Sequence, residues 1–284
     1  MITRSGKPSS GATKADLAVP AASARPVVIC FSGHDPSGGA GIQADIEAIA
    51  ATGCHAAPLI TAMTDQDSRG LYGFQPTDAS WLRDQANHIM ADLQPSAIKV
   101  GMVGSSAALA VVVEIAREYS DLPLILDPVL AAGSGGQLSG PDLASQLSEQ
   151  LLPICTLVTP NSEELVRLCP SLSDGLDPAV AAAQLLQTDC CAVLVTGTHL
   201  DSVEVVNTLY RLDQPPLARS WPRLSGEYHG SGCTLTSYIA GLIAQGDSLE
   251  NATLKAQQYT WNALNRADQL GKGQLIPNRM RNYE

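Results

Sequence analysis

EYHGSGCTL, residues 227–235, joins a Gly-x-Gly turn to a segment with helical periodicity. Apolar residues recur after the turn at near-helical spacing: Leu235, Ile239, Leu242 and Ile243. The amino end of this predicted helix faces the turn, where unpaired backbone amides and the helix dipole favour an anion such as a phosphate. The pattern therefore makes Gly230, Ser231 and Gly232 candidate anion-binding residues.

Cys233 follows this turn and would lie in the first turn of the predicted helix. The field at a helix amino end favours thiolate over thiol, so we expect a lowered pKa and a candidate catalytic base. The alternative is an ordinary turn followed by a buried cysteine, because cysteine is among the most often buried residue types. Taken alone, the motif favours this second interpretation, and the rest of the chain has to decide between them.

The composition predicts a globular protein of ordinary type. Of the 284 residues, 45% are hydrophobic and 16% are charged, with a net charge of −11. Only 17 basic residues are scattered along the chain, which argues against a nucleic-acid partner. No apolar stretch has the length of a membrane span, and the seven cysteines are odd in number and lack C-x-x-C spacing. We expect a soluble cytoplasmic protein with reduced thiols and no membrane partner.

Residues 1–25 are rich in small residues and proline, and we expect a flexible extension, followed by one domain over residues 26–284. Short apolar runs predict strands at these positions: 27–31, 56–63, 97–102, 124–129, 156–160 and 192–196. Amphipathic helices are predicted between these strands at 42–52 and 79–92, in a segment that ends at about 119 and in one that begins at 161. A last helix is predicted at 249–268. The alternation predicts right-handed β-α-β crossovers in a mostly parallel sheet. Residues 203–212 and 217–221 instead predict a hairpin.

Polar residues follow several of these strands, where ligands bind in open α/β sheets. The small residues of SGHDPSGGAG, residues 32–41, predict a ligand loop, in which Asp35 either contacts a ligand or organises the turn. Asp45, in the next helix, either contacts a ligand or lies in solvent. Gln66, in the predicted turn TDQDS at residues 64–68, offers a donor and an acceptor that suit an aminopyrimidine, although a plain turn residue fits as well.

Two later segments carry oxygen ligands for a metal. Asp127 ends a strand beside Pro128, where it either orients a metal-bound water or caps the next turn. Asn161 and Glu164 share one face of a predicted helix and could hold a hydrated Mg²⁺. The same letters form a capping box without any metal, and spacing alone favours the cap.

Six segments together resemble one known family: SGHDPSGGAGIQAD (32–45), LITAMTDQD (59–67), KVGMV (99–103), LDPV (126–129), TPNSEEL (159–165) and HGSGCT (229–234). In this order the chain is similar to the hydroxymethylpyrimidine/phosphomethylpyrimidine kinases of thiamin biosynthesis, a branch of the ribokinase-like fold. The resemblance implies a three-layer α/β fold with a central mostly parallel sheet, helices on both faces and a small β-flap. It also implies two successive phosphorylations by ATP with Mg²⁺, and a homodimer.

The resemblance assigns roles to particular residues. It implies a pyrimidine pocket formed by Gln66, Gly33, Asp45, Met102 and Val129. It implies that Asn161 and Glu164 organise Mg²⁺ and phosphate, and we expect Asp127 at the metal and Thr196 on the nucleotide side. The amides of Gly230, Ser231 and Gly232 would form the anion hole for the transferred phosphoryl group. Cys233 would take the proton of the substrate hydroxyl, where sugar kinases of the same superfold carry aspartate.

The chain departs from the family pattern on the nucleotide side. Family members usually carry lysine at two positions near the ATP phosphates, and Gly133 and Thr196 stand there in this chain. Glu227 and Tyr228 replace an Asn-Thr pair before the glycine turn. We therefore expect ATP to bind weakly and to depend heavily on Mg²⁺.

Two other functions fit parts of the pattern. A pyridoxal kinase shares the superfold and much of the loop pattern, although Gln66 and the cysteine of GSGC fit the pyrimidine branch better. A catalytically idle pyrimidine-binding or regulatory protein would explain the missing lysines beside intact pyrimidine motifs.

Overall fold

The computed structural model describes residues 25–130, 142–170, 177–198 and 202–280 of the chain. The strands of its sheet are β1 (Val27–His34), β2 (His55–Asp67), β3 (Gly70–Pro76), β4 (Ala97–Val100), β5 (Leu124–Leu126), β6 (Leu157–Val158), β7 (Ala192–Val195), β8 (Glu204–Arg211) and β9 (Leu217–Pro222). The α-helices of these ranges are α1 (Gly41–Ala51), α2 (Ala79–Leu93), α3 (Ser106–Glu118), α4 (Leu143–Gln146), α5 (Ser162–Leu168), α6 (Pro178–Leu186), α7 (Ser231–Ala244) and α8 (Leu249–Asn265). A π-helical turn (Leu147–Leu151) and a 3₁₀ turn (Leu152–Ile154) continue α4.

The sheet has nine strands in the order β3-β2-β1-β4-β5-β6-β7-β8-β9. From β2 to β7 in this order all neighbours run parallel, whereas β3, β8 and β9 pair antiparallel. The predicted hairpin is confirmed, since Glu204 pairs with Pro222 and Leu209 with Leu217. The mostly parallel α/β architecture is therefore as the sequence indicates.

Side chains alternate between two separate apolar cores, because successive residues of a strand point to opposite faces. In β1, Ile29 and Phe31 join the core formed with α2, α3, α5 and α6. Val28 and Cys30 join the core formed with α1, α7 and α8. Both faces of the sheet are thus covered by helices, which confirms the three-layer arrangement.

The end of β2 differs from the sequence prediction. Residues 64–68 were expected to form a turn, but β2 continues to Asp67 and pairs with β3, for example Thr64 with Phe74. The register shifts between Asp65 and Gln66. Polar residues are tolerated here because pairing with β3 satisfies the backbone, while the side chains of residues 63–67 are not buried. This β2–β3 extension is the small β-flap, and it carries Gln66.

Two predictions concern residues that the structure does not describe. The flexible extension over residues 1–25 lies outside the described residues except for Arg25, and Gly133 also lies outside them. Within the described ranges, no helix is both long and apolar enough to cross a membrane.

Candidate active site

A cavity of about 690 Å³ opens at the carboxyl ends of the parallel strands. Its lining includes these predicted site residues: Gly33, Gln66, Met102, Asp127, Val129, Asn161, Glu164, Thr196, Gly230, Ser231, Gly232 and Cys233. They come from β1, the β-flap, the ends of β4 to β7 and the start of α7. The fold therefore gathers residues that are far apart in the sequence into one site, as expected for the carboxyl edge of an open α/β sheet.

The amino end of α7 packs closely on the glycine-rich loop after β1. Gly230 precedes the helix with a φ of +70°, a conformation that side chains rarely adopt. A Cβ atom at Gly230 would lie 2.1 Å from the carbonyl oxygen of Gly39. The glycine is required because two backbone segments meet here, and α7 starts directly at the cavity with Ser231. Its first amides lie at the positive end of the helix dipole, the arrangement that binds anions.

Asp35 organises the first glycine loop from inside. Its Oδ1 accepts a hydrogen bond from the Ser37 amide and its Oδ2 accepts one from the Ala40 amide, both at 2.8 Å. Nε2 of His229 lies 2.8 Å from the same Oδ2. Burial opposes ionisation, but the adjacent imidazole of His229 and the hydrogen bonds from Ser37 outweigh it and hold the pKa of Asp35 below its usual value. Of the two interpretations left open for Asp35, the structure supports loop organisation.

The thiol of Cys233 does not have the lowered pKa that the sequence predicted. The residue does lie in the first turn of α7, as expected. However, burial and then repulsion from Asp127 raise the pKa of the Cys233 thiol well above its usual value, although Lys99 acts in the opposite direction. The prediction is wrong because a helix end contributes only about 0.3–1 kcal/mol, less than desolvation beside a carboxylate. In the ligand-free site the thiol therefore keeps its proton at neutral pH.

Two carboxylates face the cavity near this thiol without a cation between them. Oδ2 of Asp127 is buried and has no hydrogen-bond partner. Burial raises the pKa of Asp127. Burial, and then repulsion from Asp127, raises the pKa of Glu164 to about 8. A carboxylate with an unpartnered oxygen beside a second carboxylate whose charge it disfavours suits Mg²⁺, which uses one or two carboxylates, keeps several waters and takes further oxygens from phosphates. The donor set thus fits this ion.

The capping box predicted from Asn161 and Glu164 is present. Oδ1 of Asn161 accepts hydrogen bonds from the amides of Glu163 and Glu164, each at 2.9 Å. Oε2 of Glu164 accepts one from the Asn161 amide at 2.9 Å. The box fixes the start of α5 so that Glu164 lies at the cavity wall, and the cap and a ligand role are therefore compatible.

Asp45 differs from the other predicted pocket residues, because its side chain is fully buried and lies outside the cavity lining. Its Oδ1 is 2.8 Å from Nζ of Lys99, and the Ser237 hydroxyl donates to the same oxygen at 2.6 Å. Nζ of Lys99 also donates to the hydroxyl of Ser32, which does line the cavity. The expectation that Asp45 lies in the pyrimidine pocket is corrected by this geometry, in which Asp45 neutralises a lysine beneath the site.

Sequence reasoning gave Lys99 no role, and a signal for it existed. In β4 the residues alternate between the two cores, and Lys99 falls on the same face as Ala97, where an apolar residue would be expected. A lysine in such a run predicts a buried acidic partner. No comparable signal marks Arg279, which stands in a segment that reads as a polar tail but is 1% exposed.

The part of the cavity that is formed by β8, β9 and α8 is less polar than the part around Asp127 and Glu164. It is lined by aromatic and apolar residues: Val205, Trp221, Trp261 and Leu264. Among the lining residues that the structure describes, the positively charged side chains are Arg167 and Arg223. Thr196 forms a β-bridge with Asn161 between these two halves. Arginines therefore provide positive charge on the side of the cavity where the chain lacks the expected lysine.

Comparison with known proteins agrees with the resemblance. The family model for phosphomethylpyrimidine kinase matches residues 35–278. The hydroxymethylpyrimidine/phosphomethylpyrimidine kinase of Rhizobium meliloti is 35% identical over 87% of this chain and 94% of its own length. A thiamine biosynthesis bifunctional protein of Geobacter sulfurreducens is 34% identical over 87% of this chain, which spans 50% of that longer protein.

A solved structure of similar shape is the ADP complex of Bacillus subtilis pyridoxal kinase, with a TM-score of 0.80 and 23% identity over 90% of this chain and 97% of that one. At this identity the likeness supports the fold alone. The match to the family model covers most of the chain, including residues 35–41 of the first glycine loop, the whole second glycine loop, Asp127 and Glu164. The chain therefore belongs to the phosphomethylpyrimidine kinase family.

Proposed function

We propose that the protein transfers phosphate from ATP to 4-amino-5-hydroxymethyl-2-methylpyrimidine and then to the resulting monophosphate. The observation that carries the proposal is one cavity that contains Gln66, the amino end of α7 and Cys233 in a chain of this family. The relatives named for these two kinase activities support the substrate, and the carboxylates of the same cavity support the use of ATP with Mg²⁺.

On the acceptor side, Gln66 reaches the cavity from the β-flap, opposite Gly33, Met102 and Val129. Its amide can donate to a ring nitrogen and accept from an exocyclic amine, which fits the edge of an aminopyrimidine. A Cβ atom at Gly33 would lie 2.7 Å from Sδ of Met102, so a glycine is needed for Met102 to pack there.

On the transfer side, the amides of Gly230, Ser231 and Gly232 provide hydrogen bonds for the charge that develops on the phosphoryl oxygens. Mg²⁺ would offset the charge of Asp127, which raises the pKa of the Cys233 thiol. Cys233 is proposed to release its own proton to water in the loaded site and then, as the thiolate, to take the hydroxyl proton. Mg²⁺ bound between Asp127 and Glu164 would neutralise phosphate charge. Asn161 supports this group by fixing Glu164 in the capping box.

The test is an assay of purified protein with MgATP and each alcohol, hydroxymethylpyrimidine, its monophosphate or pyridoxal, measured as substrate-dependent ADP release. We expect turnover with both pyrimidines. A Gly230→Ala variant, in which the added Cβ meets Gly39, controls for contaminating kinases. Phosphorylation of pyridoxal alone would contradict the proposal.

A second candidate function is an idle pyrimidine-binding protein, which the threonine at position 196 favours. Calorimetry separates the two, because this candidate requires pyrimidine binding without ATP consumption in the presence of Mg²⁺. The homodimer, the cytoplasmic location and the single domain over residues 26–284 stay predictions.

A further inference from the structure

Arg279 is the largest of the fully buried side chains among the described residues. Its guanidinium donates through Nε to the hydroxyl of Thr234 at 2.8 Å, and through Nη2 to the carbonyl of Gly39. Nη1 lies 3.1 Å from Oε2 of Glu47 and makes a longer contact of 3.5 Å to the carbonyl of Gly38. One side chain therefore binds the glycine loop after β1, helix α1 and helix α7 together.

The Thr234 contact connects Arg279 to the anion hole through a single hydroxyl group. Oγ1 of Thr234 accepts from Arg279 and donates to the carbonyl of Gly230 at 2.7 Å. Gly230 in turn packs against Gly39, whose carbonyl accepts from the same guanidinium. The guanidinium thus contacts both of the backbone segments that meet at the amino end of α7.

The segment that carries Arg279 is itself fixed by main-chain hydrogen bonds beside the site. The Leu275 amide donates to the Glu227 carbonyl at 2.8 Å, and the Leu275 carbonyl accepts from the His229 amide at 2.9 Å. The Tyr259 hydroxyl donates to the carbonyl of Arg279 at 2.8 Å. Arg279 is therefore held independently of its guanidinium contacts, so its backbone anchoring and its side-chain contacts can be tested separately.

We propose that Arg279 is a positioning residue for phosphoryl transfer, which holds the two glycine segments so that the amides at the start of α7 face the transferred group. This inference rests on the proposed kinase function. A planar fork with five donors can bind Gly39, Thr234 and Glu47 at once, which a lysine cannot. Because a misplacement of about 1 Å at a catalytic group can reduce the rate roughly 100-fold, loosening these segments affects kcat before it affects acceptor binding.

The test compares Arg279→Ala, Arg279→Lys and the matched control Tyr259→Phe, which removes the hydroxyl that donates to the Arg279 carbonyl and leaves the guanidinium in place. We expect Arg279→Ala to lower kcat roughly 100-fold while the KM for the pyrimidine changes little, and Arg279→Lys to lower it only slightly less. Tyr259→Phe is expected to lower the Tm and leave kcat near the parent value. Methylguanidine added to Arg279→Ala is expected to restore part of the activity, without effect on Tyr259→Phe.

Parental kcat in folded Arg279→Ala would overturn the proposal. The proposal would also be overturned if the loss of kcat followed only the fraction of unfolded protein and methylguanidine did not restore activity. If Arg279→Ala does not fold, Thr234→Val cuts the same connection from the α7 side, and a parental kcat in that variant would also overturn it.

Hydrogen exchange distinguishes a failure of this inference from a failure of the proposed function. In the ligand-free protein, Arg279→Lys is expected to speed amide exchange in residues 38–40 and 230–234, whereas Tyr259→Phe is not. Unchanged exchange in Arg279→Lys overturns the positioning role whatever the substrate is. Faster exchange in a protein without kinase turnover supports the positioning role and contradicts the kinase.

Discussion

The two ends of the cavity differ in how their charges are balanced. Beneath the acceptor end, Lys99 and Asp45 are both fully buried and neutralise each other at 2.8 Å. At the nucleotide end, burial and then repulsion from Asp127 raise the pKa of Glu164. Thr196 stands where a lysine is expected, and among the described lining residues the positively charged side chains are Arg167 and Arg223. The charge beneath the acceptor end is therefore balanced within the folded chain, whereas we expect the carboxylates of the nucleotide end to be balanced only when Mg²⁺ and ATP bind. The following predictions test this contrast.

The largest effect is expected from Lys99→Met. This change leaves Asp45 buried without its cation, and removal of one partner from a buried pair costs roughly 3–5 kcal/mol of unfolding free energy. Denaturant unfolding measures it. Arg83→Met is the matched control, because Arg83 and Glu114 form an exposed pair at 2.6 Å that is expected to contribute less than about 1 kcal/mol. Equal losses in both variants would show that the acceptor end does not depend on its buried charge pair.

Cys233→Ala is expected to reduce kcat by about 100-fold or more, because general base catalysis contributes typically this much. Pyrimidine affinity should stay close to the parent value, since the thiol is proposed to move a proton and not to hold the ring. Stopped assays and calorimetry measure the two quantities. Cys191→Ala, which removes an exposed thiol outside the cavity lining, is the control. Turnover at the parental rate in Cys233→Ala would make Cys233 a packing residue.

Gln66→Ala is expected to weaken pyrimidine binding by roughly 1–3 kcal/mol, because the polar edge of the ring loses a partner. ATP affinity should barely change, since Gln66 belongs to the acceptor end. Titration calorimetry with each ligand measures both affinities. Met63→Ala, in the same strand but at an exposed position outside the cavity lining, is the control for damage to the flap. Equal losses for both ligands in Gln66→Ala would indicate a distorted fold.

The pH dependence of stability tests the nucleotide end. Glu164 has a folded-state pKa of about 8, above its unfolded value near 4.5. Its contribution to stability is therefore fully present below pH 4.5 and is lost as pH rises through 8. We expect Glu164→Gln to reduce the decline of the unfolding free energy between pH 6 and 8, and Mg²⁺ to stabilise the parent more at pH 8 than at pH 6. If the unfolding free energy of Glu164→Gln changed with pH as it does in the parent, Glu164 would not be the group that titrates in this range.

The smallest effect is expected from Thr196→Lys, which adds a cation to the nucleotide end. The KM for ATP should fall and the second phosphorylation should gain more than the first, since the monophosphate brings additional negative charge. Steady-state kinetics with both pyrimidines over a series of Mg²⁺ concentrations would show this. Thr198→Lys, which also lines the cavity but at an exposed position, is a control for added charge alone. A raised KM for ATP in Thr196→Lys would mean that the nucleotide lies elsewhere.

Sequence patterns predicted the parts of this fold that depend on local periodicity. The apolar runs of β1 and β4 and the helix after Gly230 are set by side-chain alternation and by glycine conformation, which neighbours in the chain determine. The end of β2 was missed because its polar residues are stabilised by pairing with β3, and a polar run carries the same letters whether it turns or pairs.

The sequence predicted most of the residues that form the site, but not their pKa values or ion pairs. Glycines and carboxylates at strand ends identify a ligand edge from spacing alone. The pKa of Cys233 depends on Asp127 and on burial, which arise only when β5 and α7 come together. The pairing of Asp45 with Lys99 likewise joins α1 to β4, and a lysine in an apolar strand predicts an acidic partner without saying which residue it is.

The Arg279 contact also sets an order of events during synthesis. Gly39 and Arg279 are 240 residues apart in the chain, and translation proceeds at roughly 5–20 residues per second. The glycine loop is therefore made about 10–50 s before the guanidinium that binds its carbonyl. During most of that interval residues 230–232 are also still to be made, and after they are made the start of α7 lacks its contact to the guanidinium until Arg279 has been added. We therefore expect the two glycine segments to be fixed against each other only late in synthesis, although β1 and α1 can form early.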